Sequence, residues 1–408
     1  MADGPLRGVR ILDLTHVWAG PLGTRILADL GAEVVKIEAP TGRGPREFPR
    51  LNLGGWIGGE PGDDPWNRLA VFVKLQRNKR SVAIDLKTDA GRETFLELVA
   101  VADVVIENFS AEAMPALGLG YDTLCRANPS IIYMAMPGYG KDGPYRDWVA
   151  FGPTVEVMSG LTHVLGYGPD EPRNTAVALM DPIAAVNAAG ALVTALRERR
   201  ATGRGGFIEM SLHESGVVFC GPWLVEHQLG GKVERIGNRH PAMAPHGVYP
   251  CRGEDAWVAL ACRDDIDWRA LCTVVGGGLD TFAAVAERRA TGDAIDRAIS
   301  EWTASRTREE AAETLQAAGL PAGPVNVTPD MVADVQVRER GFFVPLEPGP
   351  TPVPGNPIKL QGIGSDDWTP CPKLGADNAA VLRDWLGYDE GKIAGMERAG
   401  VLANKPPA

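Results

Sequence analysis

Residues 8 to 40 read GVRILDLTHVWAGPLGTRILADLGAEVVKIEAP, and the change of hydrophobic period within this stretch decides the fold class. Val9 to Leu14 is a short aliphatic run bounded by Gly8. Pro21 to Leu30 carries apolar residues at helical spacing and is stopped by Gly31, and Val34 to Ile37 is β-branched again. Strand, helix and strand over so short a distance predict a βαβ unit, which requires parallel strands and a right-handed crossover. Further strands are predicted at Val82 to Leu86, Val104 to Glu107 and Ile131 to Met136, with helices at Asp89 to Ala100 and Tyr121 to Ala127 between them. The pattern is that of an α/β protein with a doubly wound, Rossmann-like parallel sheet.

Ligands in such sheets bind beyond the carboxyl ends of the strands, so the loops beginning at Thr15, Glu38, Asn108 and Pro137 form the expected functional edge. The first of them, THVWAG, lacks the glycine fingerprint of a dinucleotide site. A G-x-G-x-x-G spacing does occur at Gly138 to Gly143, but Pro144 follows at once and no amphipathic helix opens behind it, so a turn is predicted there.

Farther along, Asn174 to Arg200 passes from a short apolar run into a long alanine-rich helical pattern, with Asp181 and Pro182 at the junction. Aspartate at the N-cap and proline at the first helical residue is a common helix opening. Such a carboxylate faces the positive end of the helix, which favours its ionised form. Phe207 to Leu212 reads as a strand, His213 to Gln228 as a helix, and Gly230 to Pro250 as a loop or linker. Trp257 to Val327 has the pattern of a smaller α+β domain, with Thr307 and Glu310 spaced as a capping box. The expected division is a large domain over 1–225, a small domain with its linkers over 226–330, and a return to the large domain over 331–408.

Composition narrows the function. At 408 residues the chain exceeds the size at which single cores stop growing, about 250 to 300 residues, so two domains are expected. A net charge of -11 argues against a nucleic-acid or anionic-membrane surface, although it leaves room for a local basic pocket. No window approaches the roughly 18 apolar residues of a membrane helix. The six cysteines show no metal-ligand spacing, so no metal is expected, and a reduced, cytoplasmic protein is the simplest account.

Five segments in order, namely Gly8 to Pro40, RNKRSVAIDLK from Arg77, ADVVIENF from Ala102, GYGKDGPY from Gly138, and the Asp181 region running into RATGRGGFIEMSLHES, resemble the family III CoA-transferases. This group includes formyl-CoA transferase and the carnitine CoA-transferases. The resemblance implies that Asp181 is the nucleophile, forming an acyl anhydride and then an aspartyl-CoA thioester. It places CoA against His16, Val17, Trp18 and Ala19, against Ile84 to Lys87, and against Asn108 and Phe109. It also implies an interlocked homodimer with the small domain inserted. CoA and its thioesters enter as substrates, with no permanently bound cofactor.

Arg77, Lys79 and Arg80 offer cations suited to the CoA phosphates. Ala39 and Ala116 stand where formyl-CoA transferase has CoA-binding arginines, with Arg43 or Arg46 as the candidate replacements for the first. His240 and His246 flank a candidate substrate loop, and neither has a partner at metal-ligand spacing. Two rival functions stand beside transfer. An α-methylacyl-CoA racemase or isomerase needs two acid/base groups, and Phe151 occupies the place of its histidine. A non-catalytic acyl-CoA-binding protein would bind thioesters without exchanging them. The identity of the acid is not legible.

Overall fold

The computed structural model describes residues 4–42, 55–346 and 352–406. By contacts the chain forms two compact units, one of Met1–Thr162, Asn174–Gly231 and Gly341–Ala408, the other of His163–Arg173 and Lys232–Arg340.

The first unit is built on six parallel strands, β1 (Arg10–Asp13), β2 (Glu33–Glu38), β3 (Lys79–Ala83), β4 (Val104–Glu107), β5 (Ile132–Ala135) and β6 (Gly206–Glu209). Their order is β3-β2-β1-β4-β5-β6. Leu12 of β1 lies level with Val35 of β2 on one side and Val105 of β4 on the other. Strand order therefore runs outward from β1 in both directions, and right-handed crossovers then place helices on opposite faces of the sheet. This is the Rossmann-like architecture read from the opening stretch. The predicted strands lie within one to three residues of the observed ones, and the Asp89–Ala100 and Tyr121–Ala127 helices fall where they were expected.

Leu12, Val35, Val82, Val105 and Tyr133 are fully buried and share one apolar cluster with Val381, Leu382 and Trp385 from the Asn378–Leu386 helix. That C-terminal helix finishes the β3 edge with polar groups as well, since Asn378 Oδ1 accepts from the Ala83 amide at 2.9 Å and Asp377 from Ser81 at 2.8 Å. Two expectations need correction. The predicted helix over His213 to Gln228 is two helices, Leu212–Phe219 and Gly221–Gln228, because Pro222 has no N–H to continue the first. The stretch read as linker contains a strand, β7 (His246–Pro250), concealed by its Gly and Pro content.

In the second unit β7 pairs antiparallel with β8 (Trp257–Ala261), and β8 with β9 (Ala322–Pro324). Val258, Trp268, Leu271, Ile299 and Leu315 fill its own core. The capping box forms as predicted, with Thr307 Oγ1 accepting from the Glu310 amide at 3.1 Å and Glu310 Oε2 from the Thr307 amide at 2.8 Å.

Candidate active site

Four of the six parallel strands end in a carboxylate, at Asp13, Glu38, Glu107 and Glu209. Each accepts from a neighbouring loop or strand, so the functional edge is built by acids that hold other groups in place. Asp13 is the most committed. Its oxygens accept from the Thr15 amide at 2.8 Å and from the hydroxyls of Thr15 and Thr24 at 2.6 and 2.7 Å, and Lys79 Nζ lies 3.0 Å away. Lys36 Nζ, itself buried, donates to the Thr15 carbonyl at 2.6 Å. Burial alone would raise the Asp13 pKa, but the Lys36 and Lys79 ammoniums and the two hydroxyls outweigh it and hold the carboxyl well below its usual range.

This knot fixes the start of the His16–Ala19 loop, and Asn108 fixes the loop itself. Asn108 Oδ1 accepts from the His16 amide at 2.6 Å while its Nδ2 donates to the His16 carbonyl at 2.8 Å. The predicted residues after β1 and β4 thus meet across the point where strand order reverses. Burial and the Lys36 charge push the His16 pKa down to about 3, leaving a neutral ring set edge-on to Phe109 at 5.1 Å. Val17 adopts φ 65°, a conformation that costs a β-branched residue about 1–3 kcal/mol and persists only where its surroundings over-determine it. Trp18 occupies the N-cap of the Ala19–Asp29 helix, and the first amide of that helix, Ala19 N–H, donates to Asp181.

Asp181 is 6% exposed. Its helix runs from Met180 to Thr202, so Asp181 is the second helical residue and not the N-cap that the Asp-Pro pair predicts. The turn before it explains the difference. Ala176 and Ala178 have φ of 58° and 49°, a sharp reversal made without glycine that carries the helix start back to Met180. Buried Glu156 holds that turn, accepting from the Thr175 amide and hydroxyl, both at 2.6 Å, and from the Leu179 amide at 3.3 Å. Against the carboxylate lies Gly152, where an added Cβ would overlap Asp181 Oδ2. Buried Ala184, Ala185, Ala188 and Ala189 make the helix narrow, and Gly23 of the Ala19–Asp29 helix packs so closely that a Cβ there would reach 3.0 Å from the Ala185 carbonyl. Small residues on both helices therefore bring Ala19 within reach of Asp181.

The electrostatics of Asp181 depart from the expectation based on the helix dipole. Burial dominates and pushes its pKa up to about 6, with the Ala19 amide only partly opposing this. The group is ionised at neutral pH but weakly solvated, and among the described residues no cation pairs with it. That is the condition of a carboxylate able to attack a carbonyl.

The predicted basic cluster is not free for phosphate. Arg77 forks onto Asp29 at 2.9 and 2.6 Å and is buried, Lys79 is spent on Asp13, and Arg80 joins Glu33 and Asp384 at 3.0 and 2.9 Å. A guanidinium engaged in this way has no fork left for a ligand. Ile84 is buried, with its amide on Glu38. Lys87 is exposed just beyond β3, and no partner holds its ammonium among the described residues. Arg43 and Arg46 lie outside the described residues. The Gly138 to Gly143 segment is a turn, with Gly140 and Gly143 at φ 101° and 78°, and it carries Lys141, whose Nζ lies 3.8 Å from Glu107.

In the second unit, His240 Nδ1 accepts from the amides of Ala242 and Met243, both at 3.1 Å, while His246 Nδ1 faces the Asn238 carbonyl at 2.6 Å. The rings stand 5.4 Å apart beside a cavity of about 360 Å³ that Arg239, Arg288 and Asp293 also line. Sequence reasoning overlooked Gly152, Glu156 and Lys141. Only the position of Lys141 in a glycine-rich turn at the functional edge could have marked any of them.

The site is a buried carboxylate beside an anchored loop at the switch point of a Rossmann-like sheet, without a dinucleotide fingerprint. Residues 6–378 match the model of CoA-transferase family III, and the chain belongs to that family of enzymes. It is 33% identical to an acetyl-CoA:oxalate CoA-transferase of Acetobacter aceti, over 94% of this chain and 96% of that one. A succinate–glutarate CoA-transferase of Agrobacterium fabrum is also 33% identical, covering 93% of this chain and 95% of its own. Among solved structures, a CAIB/BAIF family protein from Brucella suis superimposes with a TM-score of 0.83 at 31% identity, over 94% of this chain and all of that one. Among the described residues no helix is long and apolar enough to cross a membrane.

Proposed function

We propose that the chain transfers CoA from a donor acyl-CoA thioester to a free carboxylic acid, with Asp181 as the covalent carrier. What supports this is the state of Asp181, which is buried, receives the Ala19 amide, packs against Gly152 and has no ion-pair partner among the described residues. Its oxygen attacks the thioester carbonyl, the C–S bond breaks, and CoA leaves as thiolate with an acyl anhydride on Asp181. The thiolate attacks the aspartyl carbonyl, releasing the donor acid and forming an aspartyl-CoA thioester. The acceptor carboxylate displaces CoA again, and the thiolate then attacks the acceptor's acyl carbon, regenerating Asp181.

His16, Val17, Trp18, Ala19, Asn108 and Phe109 are assigned to the CoA and acyl end. Ile84 and Lys87, with Arg43 or Arg46, are assigned to the rest of CoA. The His240 and His246 loop is assigned to the acid. We further infer a cytoplasmic homodimer in which residues 226–330 form an inserted domain. Racemisation is disfavoured because among the described residues no titratable side chain bonds Asp181, and position 152 offers no acid or base.

Incubation with acetyl-CoA or succinyl-CoA, trapping with hydroxylamine and peptide mass spectrometry test the assignment. A hydroxamate on the Asp181 peptide that vanishes in Asp181→Asn is expected. Thioester binding without any adduct would leave the non-catalytic alternative.

A further inference from the structure

Gly152 opens the Gly152–Met158 helix, and nothing in its backbone calls for glycine. It is not among the glycines with positive φ, so an alanine would fit the local conformation. What bars a side chain is the space around it. A Cβ at 152 would stand 1.8 Å from Asp181 Oδ2, 3.0 Å from Asp181 Cγ and 2.7 Å from the Ala178 Cβ. The volume that a side chain would fill is the volume the Asp181 carboxylate occupies.

Neither side of this contact has room to retreat. The Gly152–Met158 helix is tied back to the turn before Asp181, because its Glu156 accepts from Thr175 and from the Leu179 amide. Its first turn is closed by Thr154, whose Oγ1 accepts from the Phe151 amide at 2.9 Å and donates to the Phe151 carbonyl at 2.8 Å. On the other side Met180 is fully buried, and a Cβ at Gly216 would reach 2.5 Å from its Sδ. The Asp181 helix is also packed against the Ala19–Asp29 helix, where Gly23 meets Ala185. An extra methyl in so close a packing forces neighbouring side chains out of place. Here the Asp181 carboxylate is the group that can turn, to another staggered position and off the Ala19 amide.

We propose that Gly152 is a positioning residue for transfer: by having no side chain it sets the staggered position of the Asp181 carboxylate, holding it on the Ala19 amide, the bearing from which it attacks. This rests on Asp181 as the nucleophile.

The test is Gly152→Ala, made alone and together with Ala178→Gly. The second change removes the Ala178 Cβ from the clash and suits φ 49° at that position, but leaves the overlap with Asp181 Oδ2 in place. With acetyl-CoA as donor, kcat and the single-turnover rate of Asp181 acylation should fall by about 100-fold, the scale of an ångström misplacement, while KM changes less than about threefold. The double variant, measured against Ala178→Gly, should be as slow. The pH of half-maximal acylation should move by more than about half a unit, since burial and the Ala19 amide together set it. Hydrogen exchange of the Ala19 amide, followed by NMR, needs no turnover and should speed up by at least about tenfold as its acceptor turns away. Where Gly152→Ala alone does not fold, the double variant carries every comparison. Wild-type kcat in Gly152→Ala, an unmoved pH midpoint, or Ala19 exchange as slow as in wild type overturns the proposal. So does recovery of the rate in the double variant, which would assign the loss to crowding against Ala178. Any of these alongside an Asp181 adduct in wild type leaves the transferase reading standing and removes this one. Absence of that adduct in wild type removes both.

Discussion

Asp13 and Asp181 are both buried aspartates at the N-terminal end of the Ala19–Asp29 helix, and their surroundings drive them in opposite directions. Asp13 has two ammoniums and two hydroxyls, and its pKa falls well below the usual range. Asp181 has one amide, and burial lifts its pKa to about 6. The first is a structural anion whose lone pairs are occupied. The second is left under-solvated with a lone pair to spare. Within one site, the number of donors the fold supplies to a carboxylate separates a scaffold aspartate from the one we propose as nucleophile.

Four measurements on three substitutions break or sharpen this contrast. Asp181→Asn removes the proposed nucleophile, and transfer measured by CoA-thioester exchange should fall by at least about 10⁴-fold, as when a covalent catalyst is deleted. Asp13→Asn leaves Lys79 and Lys36 buried without a counter-charge, and denaturant unfolding should show a loss of about 3–5 kcal/mol. Glu156→Ala releases the turn that delivers Asp181. It should lower kcat by about 10- to 100-fold, the scale of a small misplacement of a reacting group, while KM for acyl-CoA changes less than about threefold. The smallest effect has the opposite sign for stability. A carboxyl whose folded pKa is raised binds protons more tightly when folded, so stability is lost as pH rises through about 4 to 6 and stays low at pH 7. Asp181→Asn should therefore stabilise the protein at pH 7 by about 2 kcal/mol, and by little at pH 4. Equal stabilisation at both pH values would mean that Asp181 is not under this strain.

Much of the scaffold was legible because hydrophobic period is a local property. The runs at Val34 to Ile37 and Val104 to Glu107 could be nothing but buried strands, and Gly31 marked the end of the first helix. The exact helix start at Asp181 was not legible, since Ala176 and Ala178 supply positive φ where sequence reasoning looks for glycine. Asp181 itself stood out only through family resemblance, because Asp-Pro opens many helices. The basic run at Arg77 to Arg80 misled for a different reason. Charge in a sequence says nothing of what faces it, and Asp29, Asp13 and Glu33, distant in sequence, consume it. Glu156 looks like an ordinary surface charge until the fold places it on the Thr175 turn.

The most direct test is the pH dependence of Asp181 acylation in a single turnover, read as hydroxylamine-trapped adduct on the Asp181 peptide. The account predicts an adduct on that peptide whose rate of formation rises with pH, is half-maximal near pH 6 and is flat above pH 7. An adduct on another carboxylate, or a rate unchanged down to pH 4, would contradict it.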